Sequence, residues 1–140
     1  MKIKRIINTF PAWTFTILVI IAILYLTLMP QPLPELDIPL FPGADKVVHG
    51  IMMMGMMICI GIDLARHKRH ASPHAPKSKL LLALILTIQF GGAIELTQGA
   101  MNMGRGEDIY DFLADAVGAL AGFLIIVTSW GLLSRWMRDA

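Results

Sequence analysis

The sequence predicts an all-α integral membrane protein, a bundle of four transmembrane helices with both termini in the cytoplasm. Three observations predict it. Hydrophobic residues make up 56% of the 140 and charged residues only 16%, against about 25% charged in a soluble domain; the mean hydropathy is +0.65. Four apolar stretches reach or approach the length of about 20 residues that a bilayer core of roughly 30 Å requires. The basic residues alternate from side to side as an even number of spans demands. Intrinsic disorder is excluded by the apolar content. A disulfide-stapled secreted module is excluded by the single cysteine, Cys59. The net charge of +2 gives no basic surface for nucleic acid. The length fits one domain, residues 1–140.

The first span covers about 12–29. It follows Lys2, Lys4 and Arg5 and is ended by Pro30, Pro32 and Pro34, which cannot continue a helix. Its Leu28-Met29-Pro30-Gln31-Pro32 end lacks the small residues of a signal-peptidase site, so the span reads as a retained helix. The second covers about 47–64 and includes the Met52–Met57 run, read as packing or lipid-facing surface. The third, about 80–100, contains Gln89, Glu95 and Gln98. The fourth, about 110–133, begins with Asp111 and Asp115. Residues 65–79 form a basic cytoplasmic loop. Its His67, His70 and His74 have a spacing open to metal binding, but they read as solvated polar residues.

Ten of the twelve lysines and arginines fall before the first span, between the second and third, or after the fourth; Lys46 and Arg105 lie on the other side. By the positive-inside rule the first side is cytoplasmic. Eight of the ten acids lie at or near the opposite, outer side. Acids contribute little to topology, so their clustering has another cause.

Polar residues inside membrane spans are costly and face the bundle interior or a wet cavity. Here their spacing is orderly. Asp45 and His49 are four apart at the start of the second span, so they share a helix face, with Lys46 beside them. Glu95 and Gln98 share a face at the outer end of the third. Asp108, Asp111 and Asp115 form one stripe at the start of the fourth, just after Arg105. An outward helix start favours Asp45, Asp108 and Asp111 through the macrodipole; Asp45 and Asp108 also read as caps, whereas Asp111 and Asp115 lie deeper, where capping explains them less well. Glu95 sits at a helix C-terminus, where the dipole is unfavourable. It therefore needs an ion pair, a proton or a metal, with Arg105, Lys46 or His49 as the expected partner. Gly118 and Gly122 let a neighbouring helix approach closely, and their face is open to an oligomer contact. Gly91 and Gly92 allow packing or a kink. Trp13, Trp130 and Trp136 read as interfacial anchors.

The ordered set Leu28-Met29-Pro30, Asp45-Lys46-x-x-His49, Glu95-x-x-Gln98, Arg105, Asp108, and Asp111-x-x-Ala114-Asp115-x-x-Gly118-x-x-x-Gly122 resembles the VanZ-like family of small membrane proteins. The match covers about Leu28 to Gly122. The family commonly carries Asn where this chain has Asp115. The resemblance implies a multi-pass protein of the bacterial cytoplasmic (inner) membrane, serving the cell envelope; the family's namesake is associated with low-level resistance to teicoplanin.

Three functions follow as expectations. In the first, the outer cluster of Asp45, Lys46, His49, Glu95, Gln98, Arg105, Asp108, Asp111 and Asp115 binds a lipid-linked envelope precursor or an amphiphilic glycopeptide, with Lys46 and Arg105 contacting phosphate or carboxylate. The alternative is a hydrolase or transferase acting on lipid diphosphates, in which Glu95, Asp111 and Asp115 hold Mg²⁺. No catalytic nucleophile stands out for it. The further alternative is a structural or ion-coupled membrane protein. The partners expected in every case are membrane lipid and no nucleic acid.

Overall fold

In the computed structural model, residues 2–29, 41–67, 73–101 and 108–138 are described. Each apolar stretch folds as a helix, because in hydrocarbon a helix alone satisfies every backbone N–H and C=O within one segment. The elements are α1 (Lys2–Thr9), α2 (Thr14–Leu28), α3 (Ala44–His67), α4 (Lys77–Met101) and α5 (Ile109–Arg138), with no strand among the described residues. At 1.5 Å per residue α3, α4 and α5 measure about 36, 38 and 45 Å, from 24, 25 and 30 residues. All three are long and apolar enough to cross a membrane. The 15-residue α2 measures about 22 Å. Against the four full spans expected, three helices reach crossing length and the fourth apolar helix, α2, is short.

Two boundaries differ from expectation for local reasons. The second and third helices run past the basic residues at their ends, so 65–79 is not one loop. Arg66 and His67 belong to the last turn of α3, and Lys77 starts α4. Residues 68–72, with His70, lie outside the described residues. The basic N-terminus is itself helical as α1, with Ile3, Ile6 and Ile7 at i, i+3 and i+4 between Lys2, Lys4 and Arg5.

The bundle is organised around the α3–α5 pair, the most extensive helix contact. On α5 the buried residues Asp115, Gly118, Ala119, Gly122, Ile126, Trp130, Ser134 and Met137 recur every three or four positions, one stripe of a 3.6-residue helix. A Cβ at Gly118 would overlap the carbonyl oxygen of Gly50, and one at Gly122 would lie 2.7 Å from that of Met54. The Gly118/Gly122 face expected to offer an oligomer contact is filled by α3 of the same chain. Met53, Met56 and Met57 are buried in the core, with Met57 lying against Gly122, and unbranched side chains of this kind fill irregular gaps. Trp130 belongs to the same stripe at 2% exposure. It is core rather than an interfacial anchor, whereas Trp13 and Trp136 are exposed.

Side-chain bonds at both ends fix α2 against its neighbours. At one end, Asp63 of α3 accepts hydrogen bonds from the backbone N–H (2.8 Å) and hydroxyl (2.9 Å) of Thr16. It thereby serves from a distance as a cap for the first turn of α2. Trp13, at the N-cap position, offers no side-chain bond of its own. Arg66 donates to Asp63 (2.7 Å) and to the carbonyl of Phe10 (2.6 Å), and its guanidinium lies 4.7 Å from the Phe15 ring centroid. At the other end, Gln98 of α4 donates to the carbonyl of Thr27 (2.9 Å). That carbonyl belongs to the last turn of α2, which has no intrahelical partner to offer it.

Candidate functional site

The ends of α2 and α4 and the starts of α3 and α5 meet at one end of the bundle, the polar end. The charged residues there form two tiers. The upper tier surrounds Lys46. Its Nζ donates to Asp108 (2.9 Å), Asp45 (3.1 Å) and Asp111 (3.2 Å). Asp108 is also the N-cap of α5, since its Oδ1 accepts from the backbone N–H of Tyr110 at 2.8 Å. It lies just before the first residue of α5. The Lys46 ammonium, and then the Tyr110 N–H, hold its carboxyl below the ordinary carboxylate range. Capping and pairing thus coexist at Asp108.

The lower tier is buried and differently composed. His49 Nδ1 lies 3.2 Å from Asp115 Oδ1 and 3.5 Å from Glu95 Oε1. Exposure falls from 8% at His49 to 5% at Glu95 and 0% at Asp115. Glu95 Oε2 accepts from the backbone N–H of Asp108 at 3.1 Å. By contrast His49 Nδ1, Glu95 Oε1 and both oxygens of Asp115 have no hydrogen-bond partner among the described residues. The small residues of α4 make room for this tier. A Cβ at Gly91 would lie 2.6 Å from Asp115 Oδ2, so only glycine lets the carboxylate of α5 rest against α4 here.

Several pairings differ from those the spacing predicted. Asp45 and His49 share a face of α3, but Asp45 turns to Lys46 and His49 turns inward to Glu95 and Asp115. Of the two expected partners of Glu95 that lie among the described residues, His49 pairs with it and Lys46 turns to the aspartates. The Asp108–Asp111–Asp115 stripe is divided: the first two reach Lys46 and the third reaches His49. Gln98 leaves the cluster for α2. Lys46, expected to contact an anion, already carries three carboxylates. Arg105 lies outside the described residues. Of the expected loop histidines, His67 and His74 are exposed. The Asp63–Arg66 clasp was missed. Its i, i+3 spacing at the end of a span was the available signal.

Beside the lower tier, a groove of about 780 Å³ runs between α4 and α5. That lies within the roughly 300–1,000 Å³ of small-molecule pockets. Gly92, Ala93, Leu96, Ile109 and Phe112 give it apolar walls, and Glu95 and Asp108 stand at its mouth. Gln89, the middle residue of α4, is exposed on its floor.

Fold and site define a helical protein of membrane type with a buried histidine–carboxylate cluster at one end of its bundle. Comparison with protein-family models, with curated proteins and with solved structures gave no match.

Proposed function

We propose that the chain is a VanZ-like protein of the bacterial cytoplasmic membrane with four crossings and both termini inside. In this reading its outer face binds an amphiphile with a glycosyl or glycopeptide head: a lipid-linked envelope precursor or a teicoplanin-type lipoglycopeptide. The observation that carries the reading is the α4–α5 groove, apolar along its walls and acidic at its mouth. An apolar tail lies along Gly92, Ala93 and Leu96. The head meets Asp108, which lines the groove and keeps part of its carboxylate exposed to accept from hydroxyl, amide and ammonium donors. Gln89 supports the same occupant. A side-chain amide exposed at mid-helix is costly in plain lipid and is relieved by a ligand that brings polar atoms down the groove. A direct lysine–phosphate contact has less support, because the Lys46 ammonium is already shared among three carboxylates.

Four crossings with N-in topology are supported by the positions of the basic residues. The shortness of α2 is offset by local bilayer thinning, which costs only fractions of a kcal/mol per Å of mismatch.

The test is binding of a fluorescent lipoglycopeptide and of a labelled polyprenyl-linked disaccharide to the chain in nanodiscs. Ala93→Trp fills the groove from its exposed side. It should weaken binding of at least one probe by tenfold or more, without change in helix content. Equal affinity of wild type and Ala93→Trp for both probes would overturn the reading.

A further inference from the structure

The geometry points to a binding site for one divalent transition-metal ion in the lower tier. Its ligands are His49, Glu95 and Asp111, whose donor atoms all lie within 4.8 Å of one another, and the buried carboxylate of Asp115 stands beside them, 3.2 Å from His49 Nδ1. The site goes beyond amphiphile binding and stands without it, because it rests on buried atoms of α3, α4 and α5 rather than on the groove walls.

The upper and lower tiers make the argument by contrast. Asp45, Asp108 and Asp111 also bring three carboxylates within 4.8 Å of one another, but the Lys46 ammonium sits among them and donates to each. The lower tier has the same need, and its nearest counterpart among the described residues is the His49 imidazole, 3.2 Å from Asp115 and 3.5 Å from Glu95. Its four inward atoms, His49 Nδ1, Glu95 Oε1 and the two Asp115 oxygens, are buried and lack hydrogen-bond partners. Buried carboxylates left in that condition carry a large desolvation cost. A proton on His49 Nδ1 satisfies at most one of these oxygens, whereas a metal ion takes one lone pair from each ligand.

The spacing also suits a shared ion. Ligands bound tetrahedrally at about 2.0–2.2 Å from a common ion lie about 3.3–3.6 Å from one another. The observed separations from His49 Nδ1 are 3.2 Å to Asp115 and 3.5 Å to Glu95. Ligand atoms of His49, Glu95 and Asp111 all fall within 4.8 Å of one another. The imidazole also decides the ion's class. Oxygen-only sets suit Mg²⁺, whereas one nitrogen among carboxylates favours Zn²⁺ or Mn²⁺. That replaces the Mg²⁺ expected from the carboxylates alone. The backbone N–H of Asp108 on Glu95 Oε2 fixes the carboxylate so that its other oxygen faces inward.

The test uses the full chain in nanodiscs, stripped with a chelator and titrated with Zn²⁺, Mn²⁺ or Mg²⁺. Elemental analysis should give one Zn²⁺ or Mn²⁺ per chain, with Mg²⁺ held far more weakly. Pulsed electron paramagnetic resonance of the Mn²⁺ form should show a coupled imidazole nitrogen, a signature that needs no variant. Both variants are close to isosteric: Glu95→Gln should weaken Zn²⁺ binding by about 100-fold or more, and Asp115→Asn by about the 10–100-fold of an outer-shell change. Asp45→Asn, in the lysine-filled tier, and Ala93→Trp, in the groove, should leave stoichiometry unchanged. Three results would each overturn the site: no stoichiometric ion in folded wild type, a bound ion without nitrogen, or full retention in Glu95→Gln and Asp115→Asn.

Discussion

Asp63 and Asp115 are both wholly buried, yet their surroundings are opposite. Asp63 accepts from Thr16 twice and from Arg66; neither oxygen of Asp115 has a hydrogen-bond partner among the described residues. A satisfied buried carboxylate ties a structure together, and an unsatisfied one calls for a ligand. Removing Asp63 strands a buried guanidinium and uncaps α2. Asp63→Ala should therefore cost about 3–5 kcal/mol, read as a lowered unfolding midpoint in detergent. Asp108 gives a pH prediction. Its carboxyl is held below the ordinary value of 3.8, chiefly by Lys46. Its contribution to stability is thus fully present above that value and is lost as pH falls through the lower, folded one. Thermal melts between pH 5 and pH 2 should show an acid-side loss that Asp108→Asn reduces; identical profiles would contradict the pairing. At this scale the sequence grouped Asp45, Lys46, His49, Glu95, Asp108, Asp111 and Asp115 at one end of the bundle, but it also drew in Gln98, which turns to α2, and it did not give the pairings. Asp45 and His49 were rightly put on one face of α3. Which way each turns depends on α4 and α5, whose approach no spacing along α3 encodes.

Among the helices, α5 carries the clearest test. The Gly118–Gly122 spacing announced a close helix contact, and the contact exists, but nothing in that spacing says that the partner is α3 of the same chain. Gly118→Ala drives a methyl into the Gly50 carbonyl, a backbone atom that cannot rotate away. It should destabilise the α3–α5 pair by about 1–3 kcal/mol or more. Gly131→Ala on the same helix meets nothing within 4 Å and should be neutral or stabilising by up to about 1 kcal/mol. Equal melting temperatures for the two variants would contradict the seam. Trp130 was misread because tryptophan near a span end usually anchors at the interface. Its phase on α5, in line with Ala119, Ile126 and Met137, was the better guide. The apolar positions of α1 were equally visible, at i, i+3 and i+4. They were obscured by reading Lys2, Lys4 and Arg5 only as a topology signal.

The whole molecule turns much of its apolar surface outward. Ile17, Leu18 and Ile21 on α2, Leu81, Leu82, Ile85 and Leu86 on α4, and Val117, Leu124 and Leu132 on α5 are all exposed. So broad an apolar surface is a liability in water and a match for hydrocarbon, and composition alone made that legible. The chain should remain with membranes after alkaline carbonate washing. Sidedness is tested in a Cys59→Ala background, with single cysteines at Phe41 and His67, the near ends of the segments flanking α3. The four-crossing proposal requires an impermeant thiol reagent to label Phe41→Cys from outside the cell and His67→Cys only after lysis. The groove, by contrast, was not legible in the sequence, because it arises from the splay of α4 against α5 and from the small side chains of Gly92 and Ala93. The central claim, that this groove holds an amphiphile with a sugar or glycopeptide head, is tested most directly by native mass spectrometry. The chain would be released from gently solubilised bacterial membranes, comparing wild type with Ala93→Trp. Wild type should carry a glycosylated or polyprenyl-linked adduct that Ala93→Trp lacks. Ordinary phospholipid alone, equal on both proteins, would contradict it.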